Sequence, residues 1–289
     1  VNQAVPDTAP AAVRRPSADI RAALTFITPS DTKPVFHSSA YTGGAPRVLF
    51  GTERHTVAIR DMRARAGALS LDREGFELHR HKTAVGDLYD DAAVEAAYFP
   101  EVDALLRAVT GADRVVVFDA TRRSDGGAGA QNRDGLRGPA SRVHVDYTER
   151  SGPQRLRDLL GEAEAARLAA SGARVVQINV WRPIRGPVER SPLALADASS
   201  VRAEDLIATD QVFPDRVGEI YHLAHNPSQR WYYAPGMTAD EVLLIKGWDS
   251  LDDGRARFTP HGAFDLPDTP SDAAPRESIE VRTLVVIGG

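Results

Sequence analysis

From residue 174 onward the chain is a succession of short apolar runs cut apart by proline, glycine and charged turns. Arg174 to Trp181, Gly218 to Ala224, Gln229 to Tyr233, Glu241 to Lys246 and Ser278 to Ile287 read as strands. Strands this short bury their apolar faces only by stacking or rolling into one another, so the pattern predicts a sandwich or barrel. Two helical stretches come earlier. In Asp90 to Thr110, Val94, Ala97, Tyr98, Val102, Leu105, Leu106 and Val109 recur at three- and four-residue steps, and Gly111 follows where a helix end favours glycine. Gln154 to Ser171 reads as a second helix, ended by Gly172. The expectation is a mainly β chain with flanking helices, an α+β architecture. Ile20 to Ile27 suits a strand or a short helix; Pro192 to Ser200 and Val201 to Thr209 read as connections, and Gly126 to Gly138 as a loop. No repeat or linker divides residues 20–289, which read as one domain behind a loose, proline-containing arm at 1–19.

Charge and composition exclude several functions. The net charge is −5, from 35 Lys+Arg against 40 Asp+Glu. Without a basic block, such a chain repels phosphates, so no nucleic-acid partner is expected. The absence of cysteine excludes thiolate nucleophiles, Cys-ligated zinc and iron–sulfur clusters. No apolar run approaches the ~20 residues of a membrane helix, and Val1 to Ala12 lacks the charged start and apolar middle of a signal peptide. A soluble cytoplasmic protein without a membrane partner is the expectation; nothing in the pattern specifies an oligomeric state. The Gly126 to Gly138 loop lacks the Gly-Lys-Ser/Thr of a phosphate cradle.

The chemistry rests with the histidines. In His144-Val145-Asp146, residues two apart on a strand point to one side, so an imidazole and a carboxylate face one ion together. His261, from a distant strand, completes a set of two His and one carboxylate. That set suits non-haem Fe(II) and leaves coordination positions open for a chelating cosubstrate and dioxygen. The plain alternative is a hydrogen-bonded His–Asp pair capping a loop. Downstream, Arg276-Glu277-Ser278 opens the last strand, and an Arg and a Ser on one face can hold a carboxylate by charge-assisted bonds. His79 and His81 sit among basic residues with no carboxylate-bearing partner motif, which argues against a metal there; His222 lies on a strand and His225 just before the Asn226-Pro227 turn, where a surface or hydrogen-bonding role fits better than metal binding.

The order HxD, strands, His, strand, Arg-x-Ser resembles that of the double-stranded β-helix (jelly-roll, cupin-like) oxygenases. More specifically, the chain resembles the CmcJ/NvfI family of non-haem iron oxygenases, related to cephem 7α-methoxylase components and including fungal hydroxylase/desaturases. The resemblance is carried by Val143-His144-Val145-Asp146-Tyr147-Thr148, Ile178-Asn179-Val180-Trp181-Arg182-Pro183, Gly186-Pro187-Val188, Ser191-Pro192-Leu193-Ala194, Arg230-Trp231-Tyr232-Tyr233, Phe258-Thr259-Pro260-His261 and Arg276 to Arg282. It implies Fe(II), 2-oxoglutarate and dioxygen, with His144, Asp146 and His261 as iron ligands. Arg276, with Ser278 beside it, would hold the C5 carboxylate of 2-oxoglutarate. Arg282 is the rival for that role, or a structural partner of Glu280. Asn179 could bond the cosubstrate, and Trp181, Tyr147 and Tyr232 could wall the substrate pocket. The implied reaction removes hydrogen from a small molecule of secondary metabolism. The alternatives are a 2-oxoglutarate-independent iron oxidase or isomerase, a zinc hydrolase on a similar barrel, and a non-enzymatic binder.

Overall fold

Side-chain alternation along Arg174–Pro183 decides how the two cores are divided. Val176, Ile178 and Val180 point to one face and pack with Tyr98, Val102 and Leu106 of the helical region. Trp181 points to the other and packs with Phe76, Leu193, Leu195 and Tyr232. One strand thus serves a helix-covered outer core and a barrel interior. The computed structural model describes residues 19–43, 45–127, 129–133 and 135–288. Most of the sequence-predicted arm, residues 1–18, lies outside them.

A five-stranded sheet runs Phe76–Arg80, Glu241–Asp249, Arg174–Pro183, Glu277–Ile287, Arg114–Ser124, every pair antiparallel. Facing it, Trp231–Tyr233, Leu193–Ala196, His261–Ala263 and His144–Val145 lie side by side within a ten-stranded sheet. The two facing sheets make the jelly-roll (double-stranded β-helix) core. The larger sheet is extended on one side by Thr52–Asp61 and Ile20–Ile27, and on the other by Val217–Leu223, Leu206–Val212, Val35–His37 and Arg47–Val48. No helix among the described residues is long and apolar enough to cross a membrane.

Several elements differ from the sequence reading. Ile20–Ile27 is a strand paired along its whole length with Thr52–Asp61. The first helical stretch contains a π-helical turn at Val94–Tyr98 before the Phe99–Thr110 helix. Pro100 has no N–H to give Ala96, and the turn before it widens. Gly111 does end this helix, at φ 70°. The second helix is two, Ser151–Leu160 and Glu162–Ser171, broken at Gly161, whose φ 85° and ψ 158° only glycine adopts readily. Gly126 to Gly138 is not all loop: Ala130–Asn132 pairs with Gly135–Arg137. The Asn132 side chain docks this hairpin on the barrel, accepting from Arg122 N at 2.7 Å and donating to Arg122 O at 2.8 Å. Both presumed connections contain strands, Leu193–Ala196 and Leu206–Val212.

Two contacts hold the segment leading to His261. Lys246, fully buried, donates to Asp72 at 2.9 Å, Asp249 at 2.8 Å and the Ala256 carbonyl at 2.9 Å. Thr259 donates through Oγ1 to the Gly75 carbonyl at 2.9 Å. Gly75 has φ +88°, and a Cβ there would stand 2.1 Å from Thr259 Oγ1.

Gly75→Ala is therefore expected to destabilise the fold by about 2 kcal/mol or more, through backbone strain and displacement of Thr259; urea unfolding measures this. Burial alone would raise the Asp72 carboxyl, but hydrogen bonds from Arg174 and Lys246 outweigh it and lower the group from 3.8 to about 2. Its contribution to stability is present above pH 3.8 and is lost as the pH falls toward 2. Asp72→Asn is expected to flatten that part of the stability–pH curve, read by denaturant unfolding across the range.

Candidate metal centre

The centre begins with register. His144 pairs with His261 across neighbouring antiparallel strands, so the two rings meet at 4.7 Å between centroids. Each ring is oriented by a backbone carbonyl two residues earlier: His144 Nδ1 lies 2.8 Å from Arg142 O and His261 Nδ1 lies 3.0 Å from Thr259 O. A carbonyl only accepts, so each Nδ1 carries the proton and each Nε2 keeps its lone pair. Burial, with His261 beside it, pulls the His144 imidazole down to about 3. It is neutral at pH 7, the form that binds a metal.

Asp146 follows on the same face as His144. Its Oδ2 accepts from Asn179 Nδ2 at 2.7 Å and Arg282 Nε at 3.1 Å. Its Oδ1 is turned toward the imidazoles, 3.6 Å from His144 Nε2. Burial works against the carboxylate charge, but the Arg282 guanidinium, with the Asn179 hydrogen bond, outweighs it and holds the group well below the usual carboxylate range. One donor atom from each of His144, Asp146 and His261 lies within 4.8 Å of the others. Two imidazoles with Nδ1 tied to backbone carbonyls and one ionised carboxylate, converging from one side, fit a ferrous ion with positions left open.

Arg276 and Arg282 occupy different places. Arg276 is 2% exposed and lines a narrow cleft with His144, His261, Trp181 and Leu193. Its Nη1 donates to the Ser191 carbonyl at 2.7 Å, while Nε is buried with no acceptor. Its guanidinium lies 5.9 Å from the Trp181 ring centroid. Arg282 instead meets Asp146, Asp119 at 2.5 Å and Glu280 at 2.6 Å. A shift of register between Arg282 and Thr283 accompanies this turn toward the acids.

The other predicted residues divide likewise. Asn179 faces Asp146 rather than the cleft. Ser278 is buried, its Oγ 3.5 Å from the Arg123 carbonyl. Trp181 both packs in the barrel core and walls the cleft. Tyr147, the chain neighbour of Asp146, points the opposite way and packs with Leu156, Leu168 and Trp248 under the two helices. Tyr232 is core, beside Phe76, its hydroxyl accepting from Arg65 at 2.9 Å. His79 meets Glu77 at 2.7 Å and His222 meets Thr209 at 2.9 Å, each a hydrogen-bonding role. The sequence reading missed Arg123 and Ala140, which also line the cleft, and named Glu280, a third lining residue, only as the partner of Arg282 that it is. The signal for Arg123 was available: Arg114–Ser124 continues past Asp119, and alternation along Asp119, Thr121 and Arg123 turns the arginine inward.

Comparison with known proteins places this architecture. Residues 24–286 match a family model described as an oxidoreductase/YMDC permease-like domain. The hydroxylase/desaturase efuI of Hormonema carpetanum is 34% identical over 265 residues, 84% of this chain and 87% of that protein. The Fe(II)/2-oxoglutarate-dependent dioxygenase nvfI of Aspergillus novofumigatus is 34% identical over 253 residues, 85% of this chain and 88% of that protein. A solved structure of the iron and alpha-ketoglutarate-dependent endoperoxidase NvfI superposes with a TM-score of 0.82 at 30% identity, covering 94% of this chain and 98% of that one. The chain belongs to the CmcJ/NvfI family of non-haem Fe(II)/2-oxoglutarate-dependent oxygenases. Its cofactors are Fe(II), 2-oxoglutarate and dioxygen. These relatives lend nothing to the oxidase, hydrolase or binder alternatives.

Removing Arg282 strands three carboxylates. Arg282→Ala is expected to cost about 3–5 kcal/mol of folding stability, as the loss of one partner of a buried ion pair does. Chemical denaturation of the metal-free protein measures it.

Proposed function

We propose that residues 20–289 form one oxygenase domain in which His144 Nε2, His261 Nε2 and Asp146 hold Fe(II), and in which Arg276 takes the far carboxylate of 2-oxoglutarate. The substrate is a small molecule of secondary metabolism, and the outcome is hydroxylation, desaturation or ring formation at a carbon that loses hydrogen. One observation carries the reading. A buried guanidinium with an unused N–H opens onto the same cleft as the two free imidazole nitrogens. Without an anion Arg276 is a desolvated, unmatched cation: burial and the nearby Arg123 pull it down to about 10. A dicarboxylate reaching from the imidazoles to Arg276 supplies the missing charge.

When bound, the ferrous ion and cosubstrate supply a dioxygen-derived oxidant able to take hydrogen from carbon. The chain's own part is arrangement. The Arg142 and Thr259 carbonyls keep both Nε2 lone pairs aimed inward. Arg282 and Asn179 occupy one oxygen of Asp146 and leave the other for the metal. Trp181, Leu193 and Ala140 wall the cleft and keep water from it. Reaction type is supported by the names of the relatives, two of which differ in outcome on a shared scaffold.

Anaerobic addition of Fe(II) and then 2-oxoglutarate is expected to produce a weak visible charge-transfer band. His261→Ala is expected to abolish both the band and succinate formation while leaving the fold intact by circular dichroism. Unchanged iron binding in that variant overturns the ligand assignment. Comparison of a metabolite extract before and after incubation, with succinate release as the readout, identifies the substrate.

A further inference from the structure

The charged groups around the cleft separate into two sets. Arg282 stands among Asp146, Asp119 and Glu280. One positive and three negative charges leave that set two short of neutrality, the charge of a ferrous ion. The second set is Arg123 and Arg276, which line the cleft together. Glu280 also lines it, but its Oε1 is already 2.6 Å from Arg282 Nη2. Among the described residues, neither Arg123 nor Arg276 has a carboxylate ion-paired to its guanidinium. Arg123 donates to the Gly138 carbonyl at 2.9 Å, as Arg276 does to that of Ser191. They come from adjacent antiparallel strands, Arg123 opposite Ser278, two residues after Arg276. Arg276 is kept from water and Arg123 is half-buried, so two like charges stand on adjacent strands without an ion-paired carboxylate, an arrangement that weakens the metal-free fold. Burial pulls the Arg123 group down as it does Arg276.

We propose that Arg123 is a second anchor for the cosubstrate, so that Arg123 and Arg276 together match the two negative charges of the 2-oxoglutarate dianion. The inference rests on the Fe(II)/2-oxoglutarate reading above and adds to it a residue outside the Arg-x-Ser pair. It also assigns the strand bearing Arg123 a part in cosubstrate selection: a keto acid with one carboxylate leaves one of the two cations unmatched.

The test uses the full chain, anaerobic and Fe(II)-loaded, with 2-oxoglutarate titrated against the charge-transfer band. Arg123→Gln is expected to raise the 2-oxoglutarate Kd about tenfold or more, the weight of one charge-assisted hydrogen bond. Iron affinity stays at the wild-type value, and the metal-free Tm is equal to or above wild type, because one of two neighbouring, half-buried or buried like charges has gone. Arg123→Lys, which keeps the charge, recovers most of the affinity. A Gln variant that binds 2-oxoglutarate as wild type does overturns the proposal. So does a Gln variant that fails to fold or unfolds at a lower temperature, since Arg123 is then a structural residue. A wild-type protein that binds iron but shows no 2-oxoglutarate response defeats the cofactor reading itself, a result distinct from either.

Discussion

The ion pair between Arg282 and Asp146 organises the barrel interior. A carboxylate buried at this depth is costly unless a cation and hydrogen bonds meet it, and Arg282 and Asn179 do both at a single oxygen. Their grip leaves Oδ1 on the side of the imidazoles. Asp119 and Glu280 fix Arg282 in turn, so the orientation of the Asp146 carboxylate is set by residues on two further strands. The histidines are fixed differently, each by a backbone carbonyl of its own segment. Side-chain electrostatics and sheet register thus converge on one point from independent directions.

Much of the centre was legible because it depends on a period of two. His144 and Asp146 share a face for the same reason that Tyr147 does not, and the strand rule that brings the two together also predicts that Tyr147 leaves the pocket. Distinguishing Arg276 from Arg282 needed more. Both lie near one strand at even spacing, and only the placement of Asp119 and Glu280 separates an arginine matched by acids from one that is not. Tyr232 looked available because nothing in the chain shows that Phe76 and Arg65 cover it.

The misread elements have local causes. Leu193–Ala196 is Leu-Ala-Leu-Ala, a strand without a β-branched residue, carried by its neighbours in the sheet rather than by its own preference. Gly161 sits in an otherwise continuous helical pattern, and its tolerance of an unusual backbone conformation is invisible to periodicity. The hairpin within Gly126 to Gly138 is held by one asparagine that imitates a strand edge, a tertiary contact with no signature in composition. Arg123 was overlooked because its strand turns polar at its end, where apolar patterning falls silent.

The carbonyl props behind His144 and His261 carry a wider implication. Both props and the pairing of the two strands are backbone contacts, so the aim of the two imidazoles is set by sheet register and survives side-chain changes around them.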